Sequence, residues 1–447
     1  MVARPRPLSG FPEWLPAERI AEQRVLDQLR RTFELWGFVS VETRAVEPLE
    51  QMLRKGEIDK EVYVLRRLHA DPDSSDSELG LHYDLTVPFA RYVLENAGHL
   101  QFPFKRYQIQ RCWRGERPQE GRYREFTQAD VDIVGDGTLA FHHDVEVAAV
   151  MADALGALGL PHLTLQLNNR KLIEGFYRGL GATDVGAVMR AVDKLDKARP
   201  AEVRALLTAA GLNDAQADAC LALASVSATD ASFVDDVRAL GVRDDLLDTG
   251  LEELALVLDG AASIAGERVT VTADLRIARG LDYYTGTVFE TRMTGFEHVG
   301  SICSGGRYDA LASDGDRVFP GVGISFGVTR ALGPLFARGL MGANRTSPAC
   351  VLVAVAAEGT RGASEAVARV LRSRGIPCDV APAADKYGRQ IRHADRRGIP
   401  YVWFPSGSGD EVDEVKDIRS GDQVPADAAT WTPPVEDLHP SITLPPI

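Results

Sequence analysis

Two hydrophobic periods run along the chain, and it divides where one gives way to the other. From about Ala17 to Trp36, residues Ile20, Val25, Leu26, Leu29, Phe33 and Leu35 recur at near-helical spacing. This predicts an amphipathic helix closed by Gly37. FVSVET follows as a strand and leads to Pro48. DPDSSDSE, residues 71–78, is a polar turn, and LHYDLTVPFARY then runs from a strand into a helix. Alternation around Tyr107 to Gln110, and again from Arg124 to Val134, predicts two strands. Gly115, Pro118 and Gly121 mark the loop between them, too long for a tight hairpin turn.

From about Asn168 to Ala265 the pattern becomes helical and alanine-rich, with breaks at Pro200, Gly211 and Gly241. Strand-like sequence resumes at Val269, so the helical stretch is an insertion. From Ala349 the order is strand, helix, strand, helix, strand, which predicts a small sheet with helices on its faces. The expected division is residues 1–337, with the insertion at about 170–265, a linker at 338–348 and a second domain at 349–447.

The length of 447 residues allows two or three domains and a sizeable core. No run of about 18 apolar residues is present, so no membrane span is expected. The N-terminus is basic without an apolar core and does not resemble a secretory signal. Five dispersed cysteines with no CxxC pair point to reduced thiols in a cytoplasm rather than structural zinc. The net charge of −14 confines any nucleic-acid contact to local basic patches.

One such patch is Phe102 to Gly135, with seven positive side chains. Arg114, Glu116, Arg117, Arg122 and Arg124 fall at the mouth of the predicted hairpin. Crowded guanidiniums call for an anion, so a polyphosphate or nucleic acid is the natural partner. A second patch lies in the tail, where Lys386, Arg389, Arg392, Arg396 and Arg397 face only Asp385 and Asp395. On strand geometry, Gln128 and Asp132 share one face, with Asp130 between them on the same side. GxxxxGK[ST] is absent, which disfavours a P-loop ATPase.

WRGERPQEGRYREF is similar to the second signature motif of class II aminoacyl-tRNA synthetases, in the form found in histidyl-tRNA synthetases. RGLDYYTGTVFE and SGGRYD resemble that family's two histidine-specific motifs, and GVTR its motif 3 arginine. The resemblance implies an α+β fold: an antiparallel sheet core with a helical insertion, followed by an α/β anticodon-binding domain. The long helix, strand and Pro48 resemble motif 1, which implies a homodimer. The implied substrates are ATP with Mg²⁺, L-histidine and tRNA(His).

Activation joins a carboxylate to the α-phosphate of ATP. Both reactants are anions, so arginines and magnesium suit the reaction and no strong base is needed. The resemblance assigns Arg114 to the α-phosphate, Glu116 to the nucleotide, Phe126 to the adenine ring and Arg330 to the terminal phosphate. Arg279 would bridge the substrate carboxylate and the α-phosphate, and with Arg114 forms the implied catalytic pair. Tyr283 and Tyr284 would line the imidazole pocket, Asp84 and Thr86 position the substrate, and Gln128 and Asp132 hold the α-ammonium. Arg307 and Tyr308 lie in the second histidine motif. Arg117, Gln119 and Arg122 are candidates for the acceptor end of tRNA.

Three positions depart from the family pattern: His82 for a usual arginine, Thr329 for a usual acid, and LSGFPEW at the N-terminus. Two rival readings are a noncatalytic regulatory paralogue and an enzyme that activates histidine without charging tRNA.

Overall fold

The computed structural model describes residues 6–53, 61–69, 79–196, 198–277, 284–313, 315–406 and 412–443. The predicted first helix is α1 (Pro16–Leu35). Of FVSVET only Val39–Ser40 pairs as a strand, β1, lying parallel to residues Arg106 and Tyr107 at the sheet edge. The backbone then leaves the ladder after Val41, whose N–H donates to the Tyr107 carbonyl. Small strands at Val46–Pro48, Val64–Leu65 and Leu79–Leu81 form a separate three-stranded sheet. Helix α2 (Thr86–Asn96) follows.

The two alternating segments are β2 (Phe104–Trp113) and β3 (Glu125–Val134). They pair antiparallel from Phe104↔Val134 to Trp113↔Glu125. Helix α3 (His142–Gly156) and β4 (Leu163–Asn169) come next. Helices α4 (Arg170–Gly179), α5 (Val185–Val192), α6 (Pro200–Ala209) and α7 (Asp214–Ala224) then occupy the insertion. They are joined by the two-residue β5 (Ser227–Ala228), α8 (Phe233–Ala239) and α9 (Asp245–Ala262). Strands β6 (Val269–Asp274), β7 (Thr287–Met293), β8 (Cys303–Ser313) and β9 (Val318–Gly327) return to the sheet, and α10 (Val328–Ala337) closes the series. The nine strands lie in the order β1-β2-β3-β9-β8-β7-β4-β6-β5, antiparallel except at β1–β2 and β4–β6. This is the mainly antiparallel core of an α+β fold.

The register explains why the chain buries this sheet. One face carries Tyr107, Ile109, Ala129, Val131, Ile324, Phe326, Phe289 and Leu167, paired strand to strand. Helices α3 and α9 cover it. The opposite face carries Arg106, Gln108, Gln110, Gln128, Asp130, Asp132, Ser325, Ser304, Glu290 and Gln166. A polar sheet face ordinarily meets water. Here Arg106, Gln108, Asp130 and Asp132 are all buried, so this face is the floor of a recess.

A second unit comprises Glu13–Val25 and Leu335–Pro445. Its sheet contains β10 (Val351–Val353), β11 (Cys378–Val380), β12 (Tyr401–Phe404), β13 (Glu414–Asp417) and β14 (Gln423–Pro425). The order is β11-β10-β12-β13-β14, parallel across the first three. Helices α11 (Arg361–Ser373) and α12 (Tyr387–Arg396) complete the βαβαβ pattern read from the sequence. Trp403, Val351 and Leu371 are fully buried in its core. Residues 338–348 are tied into this unit. Gly342–Ala343 pairs with Ile442–Thr443, and the buried Arg345 donates to the carbonyls of Asp437 (2.9 Å) and Leu438 (3.2 Å). Of the basic tail residues, Arg397 is held by Asp379 at 2.7 Å and by Ser347, while Arg389, Arg392 and Arg396 line a shallow recess on α12.

Inside the insertion, α4 and α9 touch through backbone. A Cβ at Gly250 would meet the Leu172 nitrogen at 2.1 Å. At an exposed helical site, glycine to alanine gains about 1 kcal/mol. Here the sign should reverse: Gly250→Ala is expected to lower stability by about 1–3 kcal/mol through overpacking. Thermal unfolding checks this, and a raised Tm would show that the helices are not so closely apposed.

Candidate active site

Strands β2 and β3 project the loop 114–124 beyond the sheet. Its base is closed by the Arg114 N–H donating to the Arg124 carbonyl (2.9 Å). Near its tip Gln119 and Arg122 exchange backbone hydrogen bonds of 3.1 and 2.9 Å. Arg117, Gln119 and Arg122 are exposed there. The crowding of guanidiniums is partly relieved by Glu116, whose carboxylate pairs with Arg122 at 3.4 Å and whose carbonyl accepts from Arg124 at 3.2 Å. The N-terminal segment supports the loop, since the Gly10 carbonyl accepts from the N–H groups of Arg124 and Glu125.

Arg114 is positioned from two sides. Its Nε donates to the Tyr83 carbonyl at 3.0 Å, and its guanidinium carbon lies 5.1 Å from the Phe126 ring centroid. Across the recess, Arg330 on the first turn of α10 donates twice to the Val299 carbonyl, at 3.2 and 2.8 Å. Arg114, Glu116, Arg122, Phe126, Gln128 and Arg330 all line one pocket, together with Ser301, Ile302, Ser304 and Ser325. Thr329, an oddity in the sequence, is buried, and its hydroxyl accepts from the Thr127 N–H at 2.8 Å, pinning α10 to β3. His82 is fully buried, with Nε2 2.6 Å from the Arg111 carbonyl and its ring 5.5 Å from Trp113. It packs behind the site.

Farther along β3 the floor becomes ionic. Asp132 accepts from the Tyr308 hydroxyl at 2.8 Å and pairs with Arg106 at 2.6 Å. Arg106 is fully buried, and its guanidinium carbon stands 4.0 Å from the Phe89 centroid. Gly323 makes room for this group, because a Cβ there would lie 2.0 Å from the Asp132 carboxylate. Asp84 is buried at the start of α2 and accepts from the Val87 N–H at 3.1 Å, and Thr86 opens that helix. The Tyr284 ring lies against Gly306, and burial, followed by the charges of Asp132, Asp84 and Asp130, raises its hydroxyl above the ordinary phenol range. Arg307, of the second histidine motif, is instead a structural tie. It pairs with Asp144 at 2.5 Å, and Asp144 accepts from Thr287 at 2.7 Å.

Arg279 and Tyr283 lie outside the described residues. Sequence reasoning assigned no role to Arg106 or Asp130. Arg106 is invisible as a site residue because its partners Phe89 and Asp132 are distant in sequence. Asp130 was detectable from its two-residue spacing to Gln128 and Asp132. It is 1% exposed, and neither carboxylate oxygen has a hydrogen bond of good geometry among the described residues, the Ser325 hydroxyl standing as a donor close by. Burial pushes its pKa up to about 7 against the opposing pull of Arg106 and of the Ser325 hydroxyl, and Asp132 and Asp84 add to the rise.

A carboxyl with a folded-state pKa above its unfolded value keeps its proton in the native state while the unfolded chain has already lost it. The stability it confers is therefore present below about pH 4 and is lost as pH rises to about 7. Asp130→Asn cannot ionise. In ligand-free protein its stability relative to wild type should rise between pH 5 and pH 8, as read by urea unfolding. An unchanged difference across that range would contradict the assigned environment.

The histidyl-tRNA synthetase family model matches residues 10–331, and an anticodon binding domain model matches residues 349–404. The chain is 60% identical to a histidine–tRNA ligase of Cutibacterium acnes, over 99% of each chain. It is 57% identical to one of Micrococcus luteus, also over 99% of each. Among solved structures, the histidyl-tRNA synthetase from Nostoc sp. PCC 7120 superposes with a TM-score of 0.83 at 31% identity, covering 96% of this chain and 97% of that one. On the extent of the family model and these identities, the chain belongs to the histidyl-tRNA synthetase family.

Proposed function

We propose that the protein activates L-histidine with ATP and transfers it to tRNA(His), through the residues gathered on the polar sheet face. The observation that carries this reading is the common pocket of Arg114, Glu116, Phe126, Gln128 and Arg330. Counting Arg122, three guanidiniums and an aromatic ring surround a space where a nucleoside triphosphate would meet complementary charge and a stacking surface.

In the first step a histidine carboxylate oxygen attacks the α-phosphorus of ATP, the bond to the β-phosphate oxygen breaks, and pyrophosphate leaves. The carboxylate is already ionised, so the protein's contribution is alignment and charge stabilisation. Phe126 takes the adenine ring and Arg114 the α-phosphate, and Arg330 restrains the terminal phosphate. Mg²⁺ enters with ATP as part of the substrate, held by phosphate oxygens, and Glu116 is a carboxylate of the same pocket that can approach it. Arg279 is assigned the link between the two reacting groups. Asp84, Thr86, Gln128, Asp132, Tyr283 and Tyr284 form the histidine subsite. In the second step the 3′-hydroxyl of the terminal ribose attacks the histidyl carbonyl and AMP leaves. Arg117, Gln119 and Arg122, exposed on the loop, meet the acceptor end.

Residues 1–337 serve as the catalytic domain, with the helical insertion at about 170–265. Residues 349–447 serve as the anticodon-binding domain, with α12 as a basic contact surface. A homodimer is expected from the helix–strand–proline segment that resembles motif 1, and sedimentation should give twice the 48.6 kDa of the chain. Five unpaired cysteines suit a reducing cytoplasm. No described helix is long and apolar enough to cross a membrane.

Histidine-dependent ATP–pyrophosphate exchange, followed by charging of tRNA, tests the reading. Exchange and charging are both expected. No exchange would favour a regulatory role, and exchange without charging would favour an activating enzyme alone. Arg114→Ala should slow exchange about 10²-fold or more, the usual scale for removing a preorganised donor. Arg279→Ala should cost more than about tenfold, roughly 1.4 kcal/mol. Retention of activity within that limit would remove Arg279 from its assigned role.

A further inference from the structure

The three side chains that β3 presents to the recess differ in what they have left to offer a ligand. Asp132 is engaged within the protein: Tyr308 donates to it and Arg106 neutralises it. Gln128, 7% exposed, has a buried carbonyl oxygen without a described partner. Asp130, between them, has two buried carboxylate oxygens. Three buried acceptor atoms on one strand face thus lack a hydrogen bond of good geometry, with the Ser325 hydroxyl standing near Asp130, and leaving a buried acceptor unpaired is costly. The group that completes them must bring hydrogen-bond donors, and a positively charged N–H donor would suit Asp130 best.

We propose that Asp130 is a further binding residue of the amino-acid pocket, a carboxylate acceptor for an N–H donor of bound L-histidine. This rests on the histidine-activating function proposed above. Histidine carries donors of the right kind, an α-ammonium and an imidazole N–H. Arg106 and Tyr308 then hold Asp132 in place, and Asp130 joins Gln128 and Asp132 in meeting the ligand.

The surroundings make this acceptor proton-linked. Facing it are Arg106 and Cys112 from β2, Asp132 from its own strand, Ser325 from β9, Cys303 from β8, Asp84 ahead of α2, and Tyr284. Burial raises both thiols and the phenol, so they stay neutral near pH 7. Arg106 is the cation whose charge acts on Asp130, and Asp132 already engages it. A ligand N–H donor therefore favours the ionised form of Asp130, and histidine binding expels its proton.

Titration calorimetry of the full-length protein with L-histidine at pH 7, in two buffers of different ionisation enthalpy, reads both affinity and proton release. Asp130→Asn keeps the shape and removes the charge. The dissociation constant should rise at least about tenfold, while binding of a non-hydrolysable ATP analogue changes less than threefold. Wild type should release about half a proton more than the variant, as expected for a carboxyl with a pKa of about 7. Equal affinity and equal proton release would overturn the proposal. If the variant does not fold, wild type decides: no proton release beyond that of histidine's own groups between pH 6 and 8 overturns it. Failure of wild type to bind histidine at all would instead overturn the proposed function.

Discussion

The site depends on one buried ion pair, Arg106 with Asp132. Removing a guanidinium and a carboxylate from water costs several kcal/mol per ion, and attraction alone repays this only with good geometry and further hydrogen bonds. The fold supplies both. Phe89 lies under the guanidinium, Tyr308 donates to the carboxylate, and Gly323 leaves the space. These residues come from α2, β2, β3, β8 and β9, so the pair can form only when the hairpin and the two returning strands are in register. A one-residue slip of β3 would turn Asp132 into the apolar layer under α3. The charge pair thus acts as a register pin, and two-residue steps back along β3 from Asp132 then place Asp130, Gln128 and Phe126.

The sheet separates its tasks by face and by position. Its apolar face is ordinary core, closed by helices. Its polar face runs from an end where loop guanidiniums and an aromatic ring converge, the proposed nucleotide end, to one lined by carboxylates, the proposed amino-acid end. Asp130 sits toward the second end as a destabilising group, a buried carboxyl with no hydrogen bond of good geometry among the described residues. In the proposed role such a residue would trade stability for binding, the cost of keeping it being recovered when a ligand donor arrives.

Much of this was legible in the sequence because strand periodicity is local. Alternation along residues 125–134 put Gln128, Asp130 and Asp132 on one face, and the glycines and proline of 115–121 marked the loop. The strand–helix alternation after Ala349 translated directly into the second unit. What stayed hidden depends on pairs far apart in sequence. Nothing near Asp132 reveals that Tyr308 and Arg106 occupy it. Nothing near Thr329 reveals its bond to the Thr127 backbone. His82 stood out only as a departure from the family pattern, and the packed structure shows it beside Trp113. FVSVET read as a full strand, but its backbone follows the ladder only at its edge.

We propose the polar sheet face as the common floor for nucleotide and amino acid. A crystal structure of the protein with a non-hydrolysable histidyl-adenylate analogue tests it most directly. The analogue should lie on that face, with adenine against Phe126, the phosphate beside Arg114, and the histidyl moiety within hydrogen-bond distance of Gln128 and Asp130. An analogue bound elsewhere, or bound there with its histidyl group directed away from β3, would contradict the account.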